Sequence, residues 1–228
     1  MRRSIRIGIF LAVLGAIALT ACGGAEPTPA ENMPEETIPP LSNDYLGGGL
    51  LYDHWTTAIG VDEPEGDHPL WQTQTTNTRS GKDTWRCKEC HGWDYRGVEG
   101  VYASGSHRTG FKGIMDAATM SEDDLLAWMD GTKNPDHDFS VFFDDAQLMM
   151  VVDFVQRGVK DTTPYINADK TVNGDAGHGK ELFENTCKEC HGEDGRMFNF
   201  GSADAPEFVG TIAADNPWEF WHKVSFGQ

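Results

Sequence analysis

Residues 87–92 and 187–192 spell the same hexapeptide, Cys-Lys-Glu-Cys-His-Gly, 100 residues apart. Two cysteines at this spacing sit on one helical turn, so both thiols face the same way. Thiols so placed can each add to a vinyl group of a haem as a thioether. The histidine that follows can reach the iron from one side of the ring. Cys87, Cys90 and His91 form the first such set, and Cys187, Cys190 and His191 the second. Zinc ribbons also pair Cys-x-x-Cys motifs, but with roughly 15–20 residues between the pairs. Here 96 residues separate Cys90 from Cys187. A thioredoxin-like dithiol needs no following histidine, and here both copies have one. The pattern therefore predicts two covalently bound haem c groups, each a one-electron centre.

The segments that must carry these residues begin with a leader. Arg2, Arg3 and Arg6 precede an apolar run at residues 7–19. That run is short of the roughly 20 residues a bilayer span needs, and it has the flanks of a signal peptide. Leu19-Thr20-Ala21-Cys22 resembles a bacterial lipobox. The resemblance implies a signal peptide at residues 1–21, cleavage before Cys22 and a lipid on that cysteine. The protein would then be an extracytoplasmic, membrane-anchored lipoprotein, on the periplasmic or cell-surface side. An ordinary secretory peptide, with Cys22 a leftover thiol, is the alternative. Cys22 is the one cysteine of five outside the two motifs, so the lipid reading leaves none for a disulfide. Residues 22–43 are rich in Pro, Glu and Thr and cannot bury enough surface to offset chain entropy, which predicts a disordered, extended tether.

Charge narrows the partners. The chain has 18 basic and 36 acidic residues; losing Arg2, Arg3 and Arg6 with the leader leaves 15 against 36, a formal charge of −21. Such a surface argues against nucleic acid and anionic lipid head groups. It suits redox protein partners with a basic docking face, and it equally suits simple solubility outside the cell.

The rest reads as a mostly α fold of two tandem units, residues 44–162 and 176–228, joined by a linker at residues 163–175. In the second unit, Gly177 opens a short amphipathic stretch through Leu182 and Phe183 into Cys187. This resembles the first helix of class I cytochrome c domains, which implies that Leu182 and Phe183 face the core. A later helix is expected near Trp218, with Pro217 in its first turn and Gly227 at its end. Class I domains then place a methionine ligand and a closing helix. Neither follows, so the second unit reads as truncated, its sixth ligand beyond Gln228, or else as an open coordination site. Met197 is badly placed for the opposite face, and His222 reads as a surface or packing residue.

The first unit is similar to the same family. Its opening helix begins near Tyr45, and an insertion at residues 56–86, rich in turn-forming residues, is expected to be loop. Ser121 and Asp124 mark a helix start, with Leu125, Trp128 and Met129 on one face and Gly131 at its end. Asp144 and Asp145 mark another, with Leu148, Val151, Val152 and Val155 at helical spacing and Gly158 at its end. In class I domains such a pair brackets the methionine ligand. The bracketed loop here has no methionine but contains His137, so the resemblance implies His91/His137 ligation. Met115, Met120 and His107 are the competing ligands.

Two saturated irons would make a membrane-tethered carrier of single electrons. A dihaem enzyme of the peroxidase or sulfur-compound oxidase type is the alternative, with His107 and Glu99 as candidate acid–base groups. A haem-based ligand sensor or a subunit of a larger respiratory complex is a third reading.

Overall fold

The computed structural model describes residues 44–227; the leader, Cys22 and the tether lie outside them. All described residues belong to one compact unit. Eight α-helices run in chain order: α1 (Tyr45–Ile59), α2 (Cys87–His91), α3 (Glu122–Met129), α4 (Asp145–Asp153), α5 (Ala176–Leu182), α6 (Lys188–His191), α7 (Val209–Asp215) and α8 (Pro217–Phe226). Among the described residues the only β pairing is three isolated bridges, so the fold is mostly α.

α1 starts where the Asp44 carboxylate accepts the Leu46 N–H at 2.9 Å, and it ends at Gly60, whose φ is 68°. Its run Gly47-Gly48-Gly49 is poor helix material, at about 1 kcal/mol per glycine relative to alanine. Packing explains it. A Cβ on Gly48 would lie 2.0 Å from the Met150 carbonyl oxygen, and one on Gly49 would lie 2.3 Å from the Phe226 ring. The glycines let α4 and α8 press directly on the α1 backbone. Around that crossing Leu51, Trp55, Phe139, Phe143, Leu148 and Val151 form one core cluster. Tyr52, Tyr95, Leu125, Val152 and Phe154 form a second beside it. Each fully buried side chain of this size contributes about 1.5–3 kcal/mol.

The two helices that bracket the His137 loop start where the sequence predicts. The Ser121 hydroxyl accepts the Asp124 N–H at 3.2 Å. Asp144 and Gln147 form a reciprocal capping box, at 2.8 and 3.0 Å. α3 stops at Met129, and Gly131 takes φ 76° two residues on. α4 gives way at Phe154 to a π turn that runs to Gly158.

The insertion at residues 56–86 is more ordered than a loop. It holds two 3-10 turns, Pro69–Thr73 and Gly81–Trp85. The His68 N–H donates to Thr84 Oγ1 at 2.8 Å, and Trp71 Nε1 donates to the Arg79 carbonyl at 2.8 Å. Buried Trp71, His68 and Thr84 give the segment a small core of its own.

Leu182 departs from expectation, being 54% exposed, while Phe183 is half-buried. A π turn over Phe183–Cys187 follows α5 directly and breaks the 3.6-residue period there. α8 packs on α7 and on α1. His222, in its middle, is fully buried. Its Nε2 lies 2.9 Å from the Gly49 carbonyl, which can only accept, so its Nδ1 accepts from the Tyr95 hydroxyl at 2.7 Å. Lys223 Nζ pairs with Asp53 Oδ2 at 2.7 Å, and Asp53 also takes the Arg86 guanidinium. Tyr165, just before α5, stacks on Trp221 at 5.4 Å.

Candidate functional site

α2 is a single turn, and its brevity sets its use. It carries Cys87, Cys90 and His91 and ends at Gly92, whose φ of 79° a side chain would strain. All three functional side chains line one cavity of about 480 Å³, within the usual range for cofactor sites. Val151, Val152 and Val155 from the π-turn end of α4, Leu125 from α3 and Phe139 give the cavity an apolar wall.

His137 lines the same cavity. It sits on a 3-10 turn, Pro135–His137, whose first turn is capped by the Asn134 side chain accepting the Asp136 N–H at 3.1 Å. The loop is pinned at its base by a bridge between Asp130 and Asp138. On its far side Phe139, Phe142 and Phe143 surround Trp55, with centroids 5.0–6.3 Å from its ring. Aromatic anchoring thus holds in place a loop that has only one turn of helix.

His91 and His137 are prepared alike. His91 Nδ1 lies 2.7 Å from the Lys112 carbonyl, and His137 Nδ1 lies 2.9 Å from the Trp128 carbonyl. A carbonyl accepts only, so each Nδ1 carries the hydrogen and each Nε2 keeps its lone pair. Two imidazoles bound through Nε2 on opposite sides of one first-row metal, at about 2.0–2.1 Å each, have ring centres about 6.3 Å apart. The His91 and His137 centroids are 6.3 Å apart, with planes at 73°. Burial lowers both rings from the usual histidine value, His91 to about 4, and the neighbouring His137 lowers His91 further. Both are therefore neutral at neutral pH. The thiols are free, and burial pushes Cys87 up to about 12 and Cys90 higher still. That is the reverse of the activated thiolate that a dithiol oxidoreductase needs.

The second motif reproduces the first backbone over more than the hexapeptide. Asp94 and Asp194 each accept the N–H two residues on, from Arg96 at 3.2 Å and Arg196 at 3.1 Å. The His91 and His191 carbonyls each accept an N–H six residues on, at 2.8 Å. Tyr95 takes φ 63° where the second copy has Gly195 at 71°. The repeat is thus Cys-Lys-Glu-Cys-His-Gly-x-Asp-x-Arg. The four extra positions were readable from the sequence by aligning the copies past the glycine. The surroundings differ. Glu89 is buried against Lys88, Arg79 and His107, whereas Glu189 is exposed. Phe198 and Phe200 stand 5.8 and 6.1 Å from the His191 ring, both partly open to solvent, and Met197 is 66% exposed.

Among the other candidate ligands, Met120 lines the first cavity, while Met115 packs against the Tyr95 core. His107 stacks on Tyr102 at 4.8 Å, on the Glu89 side of α2. Sequence reasoning missed His68, which lines the cavity from the insertion. Among the described residues no group of three or more His, Cys, Asp or Glu side chains stands ready to hold a bare metal ion. A porphyrin supplies its own four nitrogens, so a haem needs only one or two side-chain donors, and a pair of histidines meets that need. No protein-family model, curated protein or solved structure matches the chain.

Proposed function

We propose that the chain is a membrane-tethered dihaem c-type cytochrome that passes single electrons between extracytoplasmic redox partners. The observation that carries this reading is the first cavity, where two free thiols and two histidines with unprotonated Nε2 line one apolar enclosure, their rings 6.3 Å apart. Cys87 and Cys90 would hold the haem covalently, and His91 and His137 would be its iron ligands. A bound haem would supply an iron that alternates between ferric and ferrous states. The chain does the rest. The Lys112 and Trp128 carbonyls keep both imidazoles oriented and basic. The valines of α4 and its π turn, with Leu125, exclude water, which keeps reorganisation small when charge moves. Cys187, Cys190 and His191 would hold a second haem through the same turn. A lipid on Cys22 and the tether at residues 22–43 would keep the folded part near a membrane, free to meet basic partners.

With His91 and His137 both bound to it, the iron would have no free position for a substrate, which favours a carrier over an enzyme. The decisive preparation is the full chain, expressed with a c-haem maturation system. Its mass should exceed that of the mature polypeptide by two haems, and the pyridine haemochrome spectrum should show thioether-linked haem. Replacing Cys87 and Cys90 by alanine should remove one haem and leave the other. A colourless chain of unmodified mass would end this reading. Carbon monoxide added to the reduced protein should leave the first haem's bands unmoved.

A further inference from the structure

Three histidines line the first cavity, and they come in two tautomers. His91 and His137 carry the hydrogen on Nδ1, as their carbonyl partners require. His68 is the reverse. Its Nδ1 accepts the Leu70 N–H at 3.2 Å, so its hydrogen sits on Nε2. The ring is held in that pose. It lies between Trp85 at 4.7 Å and Phe139 at 5.6 Å, and its own backbone N–H is fixed by Thr84 Oγ1. Only 6% of His68 is exposed.

The neighbouring polar side chains on the cavity wall are already engaged. Tyr52 donates to the Gly92 carbonyl, Thr84 to the Gly81 carbonyl and Trp85 to the Gly66 carbonyl, while Arg86 is turned to Asp53. The His68 Nε2–H has no partner among the described residues. A ring N–H so placed on the cavity wall is free to donate to an acceptor held inside the cavity.

We propose that His68 donates its Nε2–H to a carboxylate oxygen of the group held at Cys87 and Cys90. The assignment rests on the haem reading, since a haem carries two propionates. His68 is then a positioning residue that also tunes the site. A donor on the propionate offsets part of its negative charge, and less negative charge near the iron favours the ferrous state. The effect belongs to the first site alone. His68 comes from the insertion at residues 56–86, and the rings nearest His191 are phenylalanines.

The test uses the full chain with His68→Leu and His68→Gln, followed by redox titration in which the two haems give two waves. His68→Leu should move one wave to lower potential and leave the other in place. His68→Gln keeps a donor and should stay nearer the parent. Both variants should keep two haems by mass and a low-spin, six-coordinate spectrum. Two unmoved waves in an otherwise intact His68→Leu protein would overturn the assignment. Loss of the low-spin spectrum in His68→Leu would overturn it too, by making His68 an iron ligand. A parent chain that carries no haem by mass removes the haem reading, and this assignment with it, before any variant is compared.

Discussion

His137 keeps the Nε2 lone pair free for the cavity because its one ring N–H, at Nδ1, donates to the Trp128 carbonyl. The candidate ligand and its orienting bond therefore come from one loop and the helix before it. Exchanging imidazole for thioether at this position should favour ferrous iron, because methionine is the softer ligand. His137→Met should accordingly raise the potential of one of the two haems and not the other, in the same redox titration. A titration indistinguishable from the parent would take His137 off the iron. At this scale the sequence was informative where chemistry is written in adjacent residues. The thiols and following histidine that line the cavity could be read directly, whereas His137 could be reached only through the resemblance of its two flanking helices to class I cytochrome c domains. His68 could be read neither way. Its tautomer depends on one backbone N–H, from Leu70, and its burial depends on Trp85 and Phe139, so nothing in its flanking residues marks it.

α8 shows what an element can reveal of itself and what it cannot. Pro217 and Gly227 mark its ends, and its start is capped by Asn216. Its docking is invisible from the sequence, since the Gly49 carbonyl that His222 meets is 173 residues away. Long separation in sequence also hid the reason for Gly48 and Gly49 in α1, which is the close approach of α4 and α8. Leu182 misled for the opposite reason, because a π turn is not signalled by hydrophobic spacing. His222 also makes the docking sensitive to acid. Burial pulls its pKa down to about 4, from an ordinary value of about 6.5. Between these values the unfolded chain binds a proton that the folded chain refuses. The contribution of neutral His222 is therefore complete above about pH 6.5 and is lost as pH falls towards 4, at up to about 1.4 kcal/mol per pH unit. Urea unfolding of the parent and of His222→Gln across this window should give a shallower pH slope for the variant. The slope is the measure, because the variant also loses the bonds to Tyr95 and Gly49 and is less stable at every pH. Parallel curves would mean that His222 is not the group that titrates.

On the scale of the whole molecule, the same ten-residue turn is used in two settings. The first copy is enclosed by α1, α3, α4 and the insertion; the second stands among partly exposed phenylalanines. Both sit in a chain with 18 basic and 36 acidic residues, a formal charge of −18. The acidity has two explanations, solubility and partner steering, and they differ in one measurable respect. Steering acts at a distance, so it depends on the Debye length, which shrinks from about 30 Å at 0.01 M salt to about 8 Å at 0.15 M. Solubility alone carries no such dependence on the partner. If the surface steers a basic redox protein, the second-order rate of electron exchange should fall about tenfold or more over that salt range. The same measurement with an acidic redox protein should give a rate that rises with salt, because screening then removes repulsion. Stopped-flow traces of haem absorbance report both reactions, and the haem bands give the oxidation state directly. Rates flat with salt for both partners would leave the acidic surface with no part in choosing them.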